Sequence, residues 1–521
     1  MKRLLRNYRN LVLITAALSA SLLTGQVHYV PLYHSVYRVL DQWFASGLAT
    51  PTHQQQLYTR QAVLTWLEEA AQKTNNEKTL KIIDRYLREF RDGEIHTLTY
   101  LQGENGLYGD AILRGTIQGL AGKRPFQRLD VGGNIRGYLG SSLSFQTDIV
   151  TTVFLGNLDL KTGYGIKESL APVKHHKNES NASTDWVQSQ VIASFPWGYF
   201  SFGSDQFDWG PGRSGNLLLD LDQYPLTNVH AVVSLGRFRF SQVLGTLDKL
   251  YPYIEDGRKR YLADQRKLVA HRLDVFLSPK IQFGVSESVV YNRGIELAYL
   301  NPLIPLTASE VEAGDLDNNL AAVDFTARFT PHTRTYFELL TDDLNFNQNF
   351  FTAYGNKWSV LFGQQWANPF RLEDLLLTLE VIRVEPWVYT HRDTANHYEY
   401  YGQSIGYNLE PNSLKVYAGL DWFVRPNLWC RITYQNTRHG KGDRIFGNPP
   451  DRSAPKNFLK GKVENRSRVD FELDYEFYQN MWLRLRLWFE SVRNERIDDT
   501  FAEFKGDHTT RGIAFTFDLN Y

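Results

Sequence analysis

Between Asp205 and Arg213 the chain reads Asp-Gln-Phe-Asp-Trp-Gly-Pro-Gly-Arg, placing two carboxylates, an indole and a guanidinium in one short stretch. Three chemistries fit such a set. Paired carboxylates cleave glycosidic bonds when they stand about 5–9.5 Å apart across a sugar. Asp205 and Asp208 on one loop meet that distance easily, so the match is unspecific. A tryptophan face beside carboxylates also suits a pyranose, whose apolar face stacks on the ring while its hydroxyls bond the acids. The third reading is structural, with the carboxylates capping loop amides or pairing with Arg213. No nucleophile–base constellation accompanies the acids. The expectation is a non-enzyme in which Asp208, Trp209 and Arg213 are candidate carbohydrate contacts.

Two further stretches carry recognition chemistry. Residues 391–411 hold His391, His397, Tyr398, Tyr400 and Tyr401. Rigid aromatics with polar neighbours make a glycan surface of His391, Tyr398, Tyr400 and Tyr401, and the same residues also suit an interfacial aromatic girdle. His391 and His397 lack a third ligand, so no metal is expected, and no motif asks for a cofactor. Residues 438–466 carry eight basic side chains against three acidic ones, a surplus of five with His439 neutral. Such a patch favours an anionic partner such as an acidic polysaccharide, with Arg444 and Lys456 as candidate contacts. Lipopolysaccharide phosphates or plain solvation account for it equally well.

The elements that must hold these residues change character along the chain. Residues 1–25 read as an export signal, with Lys2, Arg3, Arg6 and Arg9 preceding a short apolar run. Residues 28–95 show helical spacing in three sets, one after a candidate cap at Thr59 and the last after a break at 75–78. This predicts a small helical bundle. From residue 97 to 521 the period becomes two. Met481, Leu483, Leu485, Leu487 and Phe489 alternate with charged residues, as do Val469, Phe471, Leu473, Tyr475 and Phe477. Long strands of that pattern, without helices between them, predict a transmembrane antiparallel β-barrel with room for roughly 16–18 strands. A chain with 57 basic and 57 acidic residues carries no field that would draw nucleic acid, and the single Cys430 excludes an internal disulfide.

Turn lengths set the orientation. Tight connections at Pro196-Trp197-Gly198, Gly236-Arg237, Arg425-Pro426-Asn427 and Gln479-Asn480 alternate with long polar loops, expected near 207–228, 391–411, 438–466 and 493–510. Bacterial barrels keep short turns on the periplasmic side, which places the helical bundle there as well. Residues 199–206 then run outward, with Phe200 and Phe202 toward lipid and Ser201, Gly203 and Asp205 toward the lumen. Pro211 stops strand pairing, and the apolar stretch Asn-Leu-Leu-Leu-Asp-Leu after it is too greasy for a free loop. The loop is therefore expected to fold into the barrel and narrow it. Arg484 and Arg486, opposite the acids between Asp470 and Glu476, predict a lumenal ion-pair network.

The segment FGSDQFDWGPGRSGNLLLDLDQYP (202–225) resembles the signature of the Wzi-type outer-membrane capsule-assembly proteins. VPLYHSVYRVLDQWFASGL (30–48), HRLDVFLSPKIQFGVSESVVYNRGIELAYLNP (271–302), ELLTDDL (338–344) and YTH (389–391) are similar to the same family. The resemblance implies an eighteen-stranded barrel with a periplasmic helical bundle, and a lectin-like role holding capsular polysaccharide at the cell surface after export by another system. The expected partners are capsular or other surface polysaccharide, together with outer-membrane lipid and lipopolysaccharide, around a monomer. The alternatives are a channel for oligosaccharides or other solutes and, third, an outer-membrane hydrolase.

Overall fold

The computed structural model describes residues 27–91, 96–122, 125–156, 175–178, 181–249, 252–255, 258–261, 263–314, 316–345, 347–441, 455–497 and 503–520. The expected export signal lies outside them.

Among the described residues eighteen long strands form the wall. The first six are β1 (Asn105–Leu120), β2 (Phe126–Leu139), β3 (Leu143–Gly156), β4 (Asn181–Phe195), β5 (Gly198–Trp209) and β6 (Leu219–Leu235). Then come β7 (Phe238–Thr246), β8 (Arg266–Ser278), β9 (Ile281–Asn292), β10 (Asn318–Ala327), β11 (Thr333–Asp343) and β12 (Lys357–Ala367). The last are β13 (Leu375–Val384), β14 (Ser413–Arg425), β15 (Leu428–His439), β16 (Glu464–Tyr478), β17 (Met481–Arg496) and β18 (Phe504–Asn520). Each pairs antiparallel with its chain neighbours, and β18 returns to β1 from Ile112↔Asn520 to Leu120↔Gly512. Closure leaves no edge with unpaired backbone groups, which a wall in hydrocarbon requires. Short strands Leu98–Gln102 and His175–Asn178 extend β1 and β4.

The period-two pattern sorts side chains as the sequence predicts. Phe200 and Phe202 face outward while Ser201 and Asp205 are buried inside. The lumen face is charged and paired: Arg484 bonds Asp518 at 2.8 Å and Asp474 at 3.4 Å, and Asp470 holds Arg486 at 2.8 Å and Arg468 at 2.7 Å. The two-residue turns need left-handed backbone, supplied by Gly236 (φ 59°) and Asn480 (φ 59°). Outer connections are shorter than expected in places. β6 begins at Leu219 and β18 at Phe504, because pairing resumes on both sides of the loop tips.

Helices α1 (Val36–Ser46), α2 (Arg60–Lys73) and α3 (Glu77–Phe90) sit at the short-turn end. Thr59 accepts the Ala62 N–H at 3.2 Å and Asn76 the Thr79 N–H at 2.9 Å, so both caps use side-chain oxygens. Their apolar faces share one core with Phe423 and Trp429 of the barrel. Ion pairs fasten them to the wall: Arg38–Asp474 (2.6 Å), Arg85–Glu476 (2.6 Å) and Lys78–Asp374 (2.8 Å). The connection between α1 and α2 does not stay outside the barrel. Gln54 donates to the Gln282 side chain at 2.9 Å, and Gln55 bridges Asp274 (2.8 Å) and Ser241 (2.8 Å), all on the inner face of the wall.

Candidate functional site

The β5–β6 pair shifts register between Asp205 and Phe207, then continues as Phe207↔Leu221, Asp208↔Asp220 and Trp209↔Leu219. Past the shift this hairpin leaves the wall and enters the lumen. Phe207, Trp209, Leu217, Leu218, Leu219 and Leu221 are buried against lumen-facing Val243, Leu268, Val290, Leu320, Leu361 and Ile382. Apolar residues that would be stranded in water at the mouth are covered by turning inward. Gly215 (φ 131°) forms the tip, where an added Cβ would lie 2.5 Å from the Asp220 carboxylate.

The tip is held by carboxylates from the wall. Glu380 of β13 accepts the amides of Arg213 (2.6 Å) and Ser214 (2.9 Å) and the Tyr336 hydroxyl (2.6 Å). Glu338 of β11 accepts the Leu217 amide at 2.9 Å. Asp205 accepts the side-chain amides of Gln188, at 2.8 Å, and Gln190. Asp208 accepts that of Asn216. The acids thus bond amides, as the structural reading allows, while Arg213 pairs with Asp41 of α1 at 2.5 Å.

That ion pair belongs to a meeting of two plugs. From the short-turn side the 51–58 segment reaches the hairpin: Gln56 N–H donates to the Asp208 carbonyl (2.8 Å), Gly210 N–H to the Gln54 carbonyl (2.9 Å), and Gln55 bridges Trp209. From the long-loop end the 385–412 loop closes over the same hairpin. Tyr389 and Tyr398 donate to the carbonyls of Leu217 (2.7 Å) and Leu218 (2.7 Å), and Tyr400 to that of Pro225 (3.1 Å). Burial pushes the Tyr389 and Tyr398 phenols up, so both remain protonated donors. Arg266, fully buried on β8, donates to the carbonyls of Ala395 (2.9 Å), His397 (2.7 Å) and Glu399 (2.9 Å) and ties this cover to the wall. Beside the plug a charged cavity of about 350 Å³ remains, lined by Arg114, Arg128, Arg484, Arg486 and Glu472.

The sequence-predicted residues divide accordingly. Asp208, Trp209, Tyr398 and Tyr400 are buried within the plug and its cover, and Arg213 is half-buried there. Lys456 is buried too, its ammonium on Glu385 at 3.0 Å and the Asn356 carbonyl, where it pins the 455–463 segment to the rim. Tyr401 is 45% exposed at the mouth, edge-on to Tyr224 at 5.3 Å. His391 is half-buried, and burial pushes its imidazole down. Arg444 lies outside the described residues. Among the described residues no group of His, Cys, Asp and Glu could hold a metal. The sequence reading missed Asp41, Arg266, Glu338, Glu380 and Tyr389. Alternation marks Arg266, Glu338 and Glu380 as lumen residues, but nothing local names their partners.

A sequence profile of the family described as capsule assembly protein Wzi matches residues 127–505. The chain belongs to that family. The Wzi match spans most of the barrel and includes the WGPG hairpin, so the resemblance read from 202–225 is borne out. Among solved structures the chain is similar to Wzi of Escherichia coli, an outer-membrane protein involved in group 1 capsule assembly and a carbohydrate-binding β-barrel. The identity is 11%, the TM-score 0.59, and 95% of this chain and 99% of that one are covered. OprD (13% identity, TM-score 0.43, 79% and 94% covered) and OpdK (11%, 0.46, 81% and 100%), both of Pseudomonas aeruginosa, also align. No curated protein sequence matches. Like other members of the Wzi family, this chain is an outer-membrane β-barrel.

Proposed function

We propose that this protein is a non-enzymatic, lectin-like holder of capsular or other surface polysaccharide, which it engages on the outer face of a plugged barrel. The observation that carries the reading is the meeting of the two plugs. The hairpin from outside and the 51–58 segment from the periplasmic side bond each other through Asp208 and Gly210, and Arg213 pairs with Asp41 of α1, so that they fill the lumen where a transport barrel needs a path. Family membership supports the capsule connection, and the fold shared with the carbohydrate-binding E. coli Wzi is consistent with it.

In this reading the inventory of sugar contacts changes weight. Tyr401 and His391 supply accessible surface at the mouth, and Arg444 adds positive charge from the basic loop. Asp208, Trp209, Arg213, Tyr398, Tyr400 and Lys456 act one layer deeper, fixing the shape on which glycan rests. Such a protein works as a monomer surrounded by outer-membrane lipid and lipopolysaccharide. Purified protein should bind polysaccharide isolated from its own host and show near-zero conductance in planar bilayers. Steady single-channel conductance without polysaccharide binding would favour a transport barrel and overturn the proposal.

A further inference from the structure

The cavity of about 350 Å³ beside the hairpin plug lies between β16–β18 and β1–β3 and is partly open to solvent. Tyr33 and Arg38 reach it from the short-turn end, while Gln118, Phe126 and Phe154 line it near the opposite ends of β1, β2 and β3. Strand register explains the hollow. Arg486 of β17 stands opposite Ala514 of β18, and Arg484 stands opposite Thr516. Long arginines beside short side chains leave space on the lumen face that neighbours of equal length would fill.

The ion pairs around this cavity are layered. The Arg486 side chain is 37% exposed and its partner Asp470 4%, while Arg484 is 27% exposed against 1% for Asp518. Arg114, on the other side of Asp518, is more exposed than its partner in the same way. The carboxylates lie against the wall and the guanidiniums stand over them, so the surface a solute meets is cationic. Arg38, Arg114, Arg128, Arg484 and Arg486 line the cavity, against only Glu472 and Asp474 among carboxylates. Asp130, Asp470 and Asp518, which balance the other charges, are buried behind them.

Two of these guanidiniums keep donors in reserve. Arg486 holds Asp470 side-on through Nε (3.0 Å) and Nη2 (2.8 Å). Arg114 holds Asp518 through Nε (3.2 Å) and Nη2 (3.2 Å), and its Nη1 stands 3.9 Å from Asp130, beyond hydrogen-bond distance. Among the described residues neither Nη1 has a hydrogen-bond partner, and neither is a buried atom. The planar guanidinium presents its N–H groups in a fork that matches the oxygens of a carboxylate or phosphate.

We propose that this cavity is an oxyanion site, which takes the carboxylate or phosphate group of a ligand no larger than a monosaccharide. The Nη1 donors of Arg114 and Arg486 bond the anionic oxygens, and Arg38, Arg128 and Arg484 add positive charge around them. Thr116, Thr516 and Gln118 offer neutral partners to hydroxyls on the rest of the molecule. The volume is at the low end of the roughly 300–1,000 Å³ that small-molecule sites span, which fits one sugar unit and excludes a folded oligosaccharide. The site uses none of the residues at the mouth, so it stands or falls apart from the polysaccharide reading.

The test is calorimetric titration of the full chain in detergent, at low ionic strength, with sodium glucuronate, inorganic phosphate and glucose. The expected result is one-to-one binding of an anion at least about tenfold tighter than glucose, the worth of one hydrogen bond to a charged group. Tighter binding of glucuronate assigns the site to a sugar acid, and tighter binding of phosphate assigns it to the free anion. Arg486→Gln leaves Asp470 on Arg468 at 2.7 Å, and Arg114→Gln leaves Asp518 on Arg484 at 2.8 Å, so neither strands a carboxylate. Each should weaken the anion about tenfold or more and leave glucose unchanged. Anions that bind no more tightly than glucose, or anion binding undiminished in either variant, would overturn the proposal. The comparison of the three ligands on the unaltered protein decides the matter even if a variant fails to fold.

Discussion

Replacing Tyr389 and Tyr398 by phenylalanine removes two hydroxyls and nothing else from the cover over the hairpin. Each hydroxyl donates to a carbonyl of the hairpin at 2.7 Å, and the residues that own those carbonyls, Leu217 and Leu218, are fully buried. A buried acceptor that loses its donor costs about 1–3 kcal/mol. At about 1.4 kcal/mol per tenfold, each substitution should raise the population of the undocked hairpin roughly five- to 150-fold. The two rings stack on each other at 5.8 Å, so the double variant should fall short of the product of the single effects. Hydrogen–deuterium exchange of peptides covering 207–221 reads this population directly, with β16 and β17 as an internal reference that should not move. Protection that changes less than about twofold in both single variants would refute the clamp, since even the smallest expected loss exceeds that.

Three further outcomes follow from the same geometry. Arg213→Gln takes from half-buried Asp41 the guanidinium it pairs with at 2.5 Å, at a cost of about 1–3 kcal/mol for a charged group that loses its hydrogen-bond partner; adding Asp41→Asn should recover part of that, and a thermal melt of the two variants measures the recovery. The His53 imidazole, buried in the inserted segment, is held well below its usual value by burial and by the nearby Arg239 charge. A depressed histidine contributes stability that is complete above about pH 6.5 and weakens as the pH falls below it, so added protease should cut 51–58 faster at pH 5 than at pH 7.5, and equal rates would contradict this. Tyr401→Ala should weaken glycan binding by about 0.5–1.5 kcal/mol, the worth of one stacked ring, and shift stability by no more than about 0.5 kcal/mol, as calorimetry with host polysaccharide and a melt would show.

The parts of this fold that were legible in the sequence are those governed by local periodicity. Alternation told Phe200 and Phe202 from Ser201 and Asp205, and it placed Arg484 and Arg486 among lumenal acids, because a wall between lipid and a polar interior imposes that pattern residue by residue. The apolar run after Pro211 announced an inward fold because nothing outside could cover it. What stayed hidden depends on distant partners. Residues 51–58, Pro-Thr-His-Gln-Gln-Gln-Leu-Tyr, carry no motif of their own, and only the wall acid and amide that receive Gln55 and Gln54 make them a plug. Tyr398 and Tyr400 looked like a glycan surface because a tyrosine that clamps a backbone carbonyl has the same sequence signature as one that stacks on a sugar. Lys456 sat in a basic run, and Glu385 alone gives it a buried place.

The central claim is that a plugged barrel holds polysaccharide outside the cell. It is tested most directly by measuring cell-attached and shed polysaccharide in a strain lacking this protein and in the same strain with the gene restored. The account predicts that loss of the protein moves polysaccharide from the cell surface into the medium while the total stays constant, and that restoration reverses the shift. An unchanged division between surface and medium, or a fall in the total exported, would contradict it.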